Sequence, residues 1–299
     1  MIAKPISGHG VIGLCSPSHV AVRQKYAPLI ANLTAMGFRV KEADNLYSAA
    51  DGYLATPKQR GDDFNQLIAD DEVELVFFGG GEGSVELLPF IDLELIRQNP
   101  KRICSYSDAT TILNTVTALT GLETYYGQSP ETFRELNDYN REQFLSHLVR
   151  DDAETWVHGS PWRVLTGGTA EGRLIGGYSR NFAMWLGTPY AHWNPTEKYL
   201  LFIEDNEKYG GVDYVSAMLS NIEQMPLMPQ VTGLLFGCYS KPENAFLLAR
   251  LRRFGAEHGI PVIYCDDFGH DTLQAVLPIG RRAVMNESGL RFARGERRT

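Results

Sequence analysis

Three residues far apart in a chain of 299 could together carry out acyl transfer: Ser107 in "SYSDAT", Glu204 in "YLLFIED" and His270 in "DDFGHD". A serine hydroxyl is inert at neutral pH until a base takes its proton. The base is usually an imidazole, and a carboxylate fixes its tautomer. The run "GGGEGS", Gly79 to Ser84, adds backbone N–H groups that can approach a developing oxyanion closely. Each element also has a plainer reading. Ser107 and Asp108 fit a helix N-cap, Glu204 fits a surface carboxylate paired with Lys208, His270 fits a structural histidine, and the glycines fit a turn. The glycine run resembles a dinucleotide fingerprint only in part. It follows the third strand, has Ser84 where the last glycine belongs, and lacks a P-loop lysine.

Position is what joins the set. Short apolar runs at 10–15, 38–43, 73–78 and 103–106 read as strands, and helical spacing marks 26–36, 57–69 and 109–119 between them. Near-continuous apolar strands alternating with helices predict an α/β fold, an N-terminal doubly wound, flavodoxin-like parallel sheet over 1–130. A polar stretch over 131–166, with one helix at 141–149, reads as a linker. A C-terminal α/β domain over 167–299 follows, with strands at 173–175, 199–203, 231–237 and 261–265 and helices from 179, 212 and 246. Ligands of such sheets gather beyond the carboxyl ends of the strands. The glycine run, Ser107, Glu204 and His270 all fall there, in the order serine, acid, histidine.

A net charge of −8, with no gathered Lys or Arg face, argues against a nucleic-acid polymer as partner. Arg281, Arg282 and the arginines of 291–298 read as a solvated end. The chain has neither a signal-like apolar segment at its start nor a run of membrane-helix length, which predicts a cytoplasmic protein with no membrane partner. Cys15, Cys104, Cys238 and Cys265 are scattered in strand-like runs, as buried free thiols of a reducing compartment would be. No histidine cluster has metal-ligand spacing, so neither a metal nor another cofactor is expected.

Four ordered segments, "GGGEGSVELLPFIDLELIRQNPKRICSYSDATTI", "LIGGYSRNF", "LLFIEDNE" and "GHDTLQAVLPIG", resemble the signatures of the LD-carboxypeptidase family, over about 10–280. That family includes muramoyltetrapeptide carboxypeptidases and microcin C self-immunity proteins. The resemblance implies a homodimeric serine peptidase with Ser107 as nucleophile, Glu204 as acid and His270 as base. It also implies an oxyanion hole from the backbone N–H groups of Gly81 and Asp108, and substrate contacts near Glu82, Gly177 and Tyr178. Where the family commonly reads Arg-Gly-Gly-Tyr-Gly, this chain has Gly79-Gly80-Gly81-Glu82-Gly83, so an arginine and an aromatic are missing. The implied substrate is a small peptide: a muropeptide stem, or else a peptidyl- or aminoacyl-nucleotide whose base Trp156, Trp162, Tyr178 or Trp185 could stack. A non-catalytic small-ligand binder on the same scaffold is the reading from another class.

Overall fold

Val11–Cys15 is a strand in which every residue is buried, which only a sheet covered on both faces allows. The computed structural model describes residues 1–50 and 53–294. Its strands are β1 (Val11–Cys15), β2 (Arg39–Glu42), β3 (Val73–Phe78), β4 (Arg102–Ser105), β5 (Thr124–Tyr126), β6 (Arg163–Thr166), β7 (Ala170–Tyr178), β8 (Tyr199–Glu204), β9 (Val231–Cys238), β10 (Val262–Gly269), β11 (Leu277–Ile279), β12 (Arg282–Asn286) and β13 (Gly289–Phe292). The α-helices are α1 (Arg23–Ala35), α2 (Pro57–Ala69), α3 (Ser84–Leu87), α4 (Leu93–Gln98), α5 (Thr110–Thr120), α6 (Asp138–Phe144), α7 (Ser179–Leu186), α8 (Val212–Glu223) and α9 (Ala245–His258).

Among the described residues one sheet has the order β11-β5-β4-β3-β1-β2, and the other β13-β12-β7-β8-β9-β10-β6. In the first sheet β2, β1, β3, β4 and β5 run parallel, which gives the expected doubly wound α/β arrangement. The order reverses between β1 and β3, and such a switch point opens a crevice at the strand ends. Cys15 pairs with Phe78 and Ser105 with Tyr126, so the loops after β1, β3, β4 and β5 leave from one edge. In the second sheet β7 to β10 are parallel and β12, β13 and β6 join antiparallel. Tyr178 lies opposite Glu204 there, and Gly269 opposite Cys238.

Two strands cross the expected boundaries. β6 comes from the stretch read as a linker and pairs with β10, and β11 comes from the C-terminal half and pairs with β5, placing Leu277 opposite Tyr126. The two halves also share α5, whose seven consecutive residues Thr110 to Val116 are all buried. Asn114 Nδ2 donates to Gly176 O at 2.8 Å, and Trp185 Nε1 donates to Thr115 Oγ1 at 3.0 Å. One hydrophobic cluster runs from Ile103 and Ile112 through Phe202 to Phe268, so burial holds the halves together.

The expected linker helix starts at Asp138, capped by Asn137, whose side chain accepts from Asn140 N at 2.8 Å. Arg281 is not solvated. It is 7% exposed, with Nε and Nη2 donating to the Glu123 carboxylate at 2.9 and 2.5 Å. Arg294 matches the expectation of an exposed basic end, and the arginines of 295–299 lie outside the described residues. The four cysteines are free and buried, and burial pushes the Cys104 thiol up to about 12.

Candidate active site

β4 ends at Ser105, and the chain turns through a short 3-10 segment, Ser107–Ala109, into α5. At that turn Ser107 has φ +59°, a left-handed conformation that a non-glycine residue holds at a cost of about 1–3 kcal/mol and that surrounding structure must impose. The side chain does not cap the helix. Instead Ser107 Oγ donates to His270 Nε2 at 2.8 Å, and His270 Nδ1 donates to Glu204 Oε2 at 2.8 Å. Because a carboxylate only accepts, Nδ1 carries the proton and Nε2 is left to receive one from the serine. Thus residues 107, 204 and 270 converge in one hydrogen-bonded line.

Glu204, the last residue of β8, is fully buried and does not pair with Lys208 at the surface. Its other oxygen, Oε1, accepts from Tyr126 Oη at 2.6 Å, and the same hydroxyl accepts from Ser107 N at 3.0 Å. Tyr126 therefore ties the acid to the strained turn. Sequence reasoning missed it because β5 is only three residues long, yet it obeys the rule that found the others, lying at the carboxyl end of a parallel strand.

His270 follows Gly269 at the end of β10 and is ringed by Tyr178, Tyr106 and Tyr209, with centroids at 4.9, 5.2 and 5.4 Å. Burial alone would disfavour the imidazolium, but Glu204 and then Asp205 outweigh it and hold the histidine above its ordinary value. Burial also holds Asp205 up at about 6, against hydrogen bonds from Ser179 Oγ and Asn206 N.

The glycine run packs on the serine. A Cβ at Gly80 would stand 2.7 Å from Ser107 Cβ, and one at Gly81, where φ is +148°, would stand 2.2 Å from Ser18 O. These close approaches need glycine. The Asp108 side chain turns away from the line: Oδ2 accepts from Ser84 N at 2.7 Å and Oδ1 from Asn181 Nδ2 at 2.5 Å, which ties the glycine loop to α7. Gly177, where φ is +138°, lets β7 approach α5; a Cβ there would meet Thr110 Oγ1 at 2.4 Å. Tyr178 is 3% exposed and packs on His270. Glu82 is exposed and pairs with Arg180.

Of the aromatics proposed to stack a base, Trp185 is fully buried and Trp156 is 5% exposed. Trp156 and Trp162 donate through Nε1 to Asp267 Oδ2 at 2.8 and 3.1 Å, so they fasten the 131–166 segment to β10 just before His270. The open ring at the histidine is that of Tyr209, 62% exposed. Among the described residues no three His, Cys, Asp or Glu side chains are placed to hold a metal ion, and no helix is long and apolar enough to cross a membrane. A separate cavity of about 600 Å³, lined by Met1, Arg173, Trp193 and Arg282 among others, includes none of the three converging residues.

Family models match both halves of the chain: the LD-carboxypeptidase N-terminal domain over 12–127 and its C-terminal domain over 171–285. A Bacillus subtilis protein named as a murein peptide carboxypeptidase is 29% identical, with 95% of this chain and 91% of that protein covered. The microcin C7 self-immunity protein MccF of Escherichia coli is 27% identical, covering 96% and 93%. A solved structure of MccF with aspartyl sulfamoyl adenosine superposes at a TM-score of 0.85 and 24% identity, covering 99% of each chain. An MccF-like protein of Bacillus anthracis gives a TM-score of 0.88, 24% identity and 98% coverage of each chain. The protein belongs to the LD-carboxypeptidase family and is an enzyme of the serine carboxypeptidase type.

Proposed function

We propose that Ser107, His270 and Glu204 are the catalytic triad of this carboxypeptidase, and that it removes the terminal residue from a muropeptide stem. The observation that carries this is the pair of 2.8 Å hydrogen bonds through His270, anchored on a serine at φ +59°. His270 Nε2 takes the proton of Ser107 Oγ as that oxygen adds to the scissile carbonyl carbon. It then gives the proton to the departing amine nitrogen as the C–N bond breaks, leaving acyl-Ser107. Water adds to the ester while His270 takes its proton, and the proton returns to Ser107 Oγ as the acid leaves. Backbone N–H groups of Gly81 and Asp108 receive the oxyanion. The net reaction consumes one amide and one water and yields one acid and one amine.

A second substrate reading, a peptidyl- or aminoacyl-nucleotide, rests on Tyr209: an exposed ring 5.4 Å from His270 offers a face to a base, and MccF has been solved with a nucleoside derivative. We place both reactions in a homodimer of the cytoplasm. Incubation with a tetrapeptide stem and with an aspartyl sulfamoyl adenosine, followed by mass detection, separates the two. D-alanine release from the first supports the muropeptide reading, and cleavage confined to the second replaces it. A fluorophosphonate should label Ser107, and Ser107→Ala and His270→Ala should abolish labelling and lower kcat by about 10⁴. A folded protein that resists labelling and turns over neither compound would be a binder.

A further inference from the structure

Beside the triad an ion pair joins the two halves. Arg180, in the first turn of α7, directs Nη2 to Oε1 of Glu82 in the glycine run. The pair is placed close to the chemistry. Gly80, two residues before Glu82, packs on Ser107, and the Arg180 guanidinium carbon lies 5.5 Å from the Tyr178 ring centroid, which is itself 4.9 Å from the His270 ring. The pair is also lopsided, since the arginine side chain is 30% exposed and the glutamate 69%. Arg180 Nε is buried and has no hydrogen-bond partner, so the fork holds a spare donor.

A carboxypeptidase has to tell a chain end from a chain interior. The distinguishing group is the α-carboxylate, one carbon beyond the scissile nitrogen, so a recognising cation must lie within a few ångströms of the serine and histidine. Lys241 is committed to Asp271, and Lys208 is exposed on the loop after Glu204. Arg180 lies against the same Tyr178 ring that packs on His270, at 5.5 Å from its centroid. Its planar fork also matches a carboxylate through two parallel N–H donors, which a lysine cannot do.

Resting on the carboxypeptidase reading above, we infer that Arg180 anchors the α-carboxylate of the departing residue, and that Glu82 occupies its guanidinium until substrate arrives. Glu82 is the more exposed partner and the cheaper one to displace, because its carboxylate can return to water. Arg180 stays held by the helix and by the Tyr178 ring beneath it.

The test compares kcat/KM for a tetrapeptide stem and for the same peptide ending in a carboxamide. The wild type should prefer the acid by about 100-fold or more, as a site built to bind a charged group does. In Arg180→Gln that preference should fall to within about 3-fold, through a raised KM for the acid with kcat changed far less. Glu82→Gln should lower KM for the acid about 3-fold relative to KM for the amide, since only the acid competes with Glu82. A wild type without preference, an Arg180→Gln enzyme that keeps it, or a raised KM for the acid in Glu82→Gln overturns the inference. If Arg180→Gln fails to fold by circular dichroism, Arg180→Lys decides: a preference reduced at least about 5-fold supports the fork, and an unchanged one overturns it. Fluorophosphonate labelling of wild-type Ser107 separates the layers. No adduct there sinks the hydrolytic reading itself, whereas labelling with an unchanged preference in the variants sinks only the role of Arg180.

Discussion

Tyr126→Phe removes one oxygen and leaves the ring tilted against Phe202, 5.5 Å away, so packing stays as it was. Two partners are lost together. Glu204 Oε1 loses a hydrogen bond of 2.6 Å, and Ser107 N loses its acceptor at 3.0 Å. A hydrogen bond to a charged group contributes about 1.5–3 kcal/mol, and a buried N–H left unpaired costs about 1–3 kcal/mol. A combined loss of about 2–4 kcal/mol follows, since the turn relaxes partly once its tether is gone. If about 2 kcal/mol of that is felt in the transition state, kcat/KM falls about 30-fold. KM for a tetrapeptide stem should change little, because the hydroxyl faces Glu204 and the Ser107 backbone instead of the cleft. The assay is steady-state hydrolysis together with a thermal melt, which should drop by at least about 4 °C. A variant with wild-type melting and kcat/KM within about 3-fold refutes the claim that this hydroxyl holds the strained serine against its acid.

Two further perturbations test the same geometry. The proposed mechanism requires His270 neutral, and against burial, which lowers its pKa, Glu204 and then Asp205 raise it above 6.5. Activity should therefore climb with pH on a limb above 6.5, and Glu204→Gln should move that limb down while lowering the plateau; a limb that stays in place removes Glu204 as the cause. Gly80→Ala would set a methyl 2.7 Å from Ser107 Cβ and 3.2 Å from Oγ, so fluorophosphonate labelling should slow by about 100-fold and the melt should fall by a few degrees, and unimpaired labelling counts against that packing.

Helix 57–69 and strand 73–78 coincide with their sequence expectations to the residue, and the helix expected from 179 starts there, because apolar period, Thr56 as cap and Gly187 as stop agree locally. Thr124–Tyr126 and Leu277–Ile279 left no such trace: each has three residues, and the two pair with each other across about 150 positions, with β4 on the far side of β5. Arg163–Thr166 is an edge strand of partly exposed residues, and its pattern is that of a loop. Arg281 looked solvated because its partner Glu123 is remote in sequence. The tryptophans looked available because Asp267, which holds two of them, comes about a hundred residues later. Ser107, Glu204 and His270 were legible because a parallel sheet exposes side chains at one predictable place, the carboxyl ends of its strands. Tyr126 and Arg180 act through partners in the opposite half, which no local pattern announces.

The insertion of Leu277–Ile279 beside Tyr126 governs how this polypeptide can be divided. A truncated form ending near residue 170 would leave that sheet with an unpaired edge at the very strand whose Tyr126 holds Ser107. Its complementary fragment would carry a homeless three-residue ribbon. Grafting the first half of one relative onto the second half of another should thus succeed only when the ribbon and its bed are exchanged as a set. The workable seam between the halves is a pair of cuts, not one.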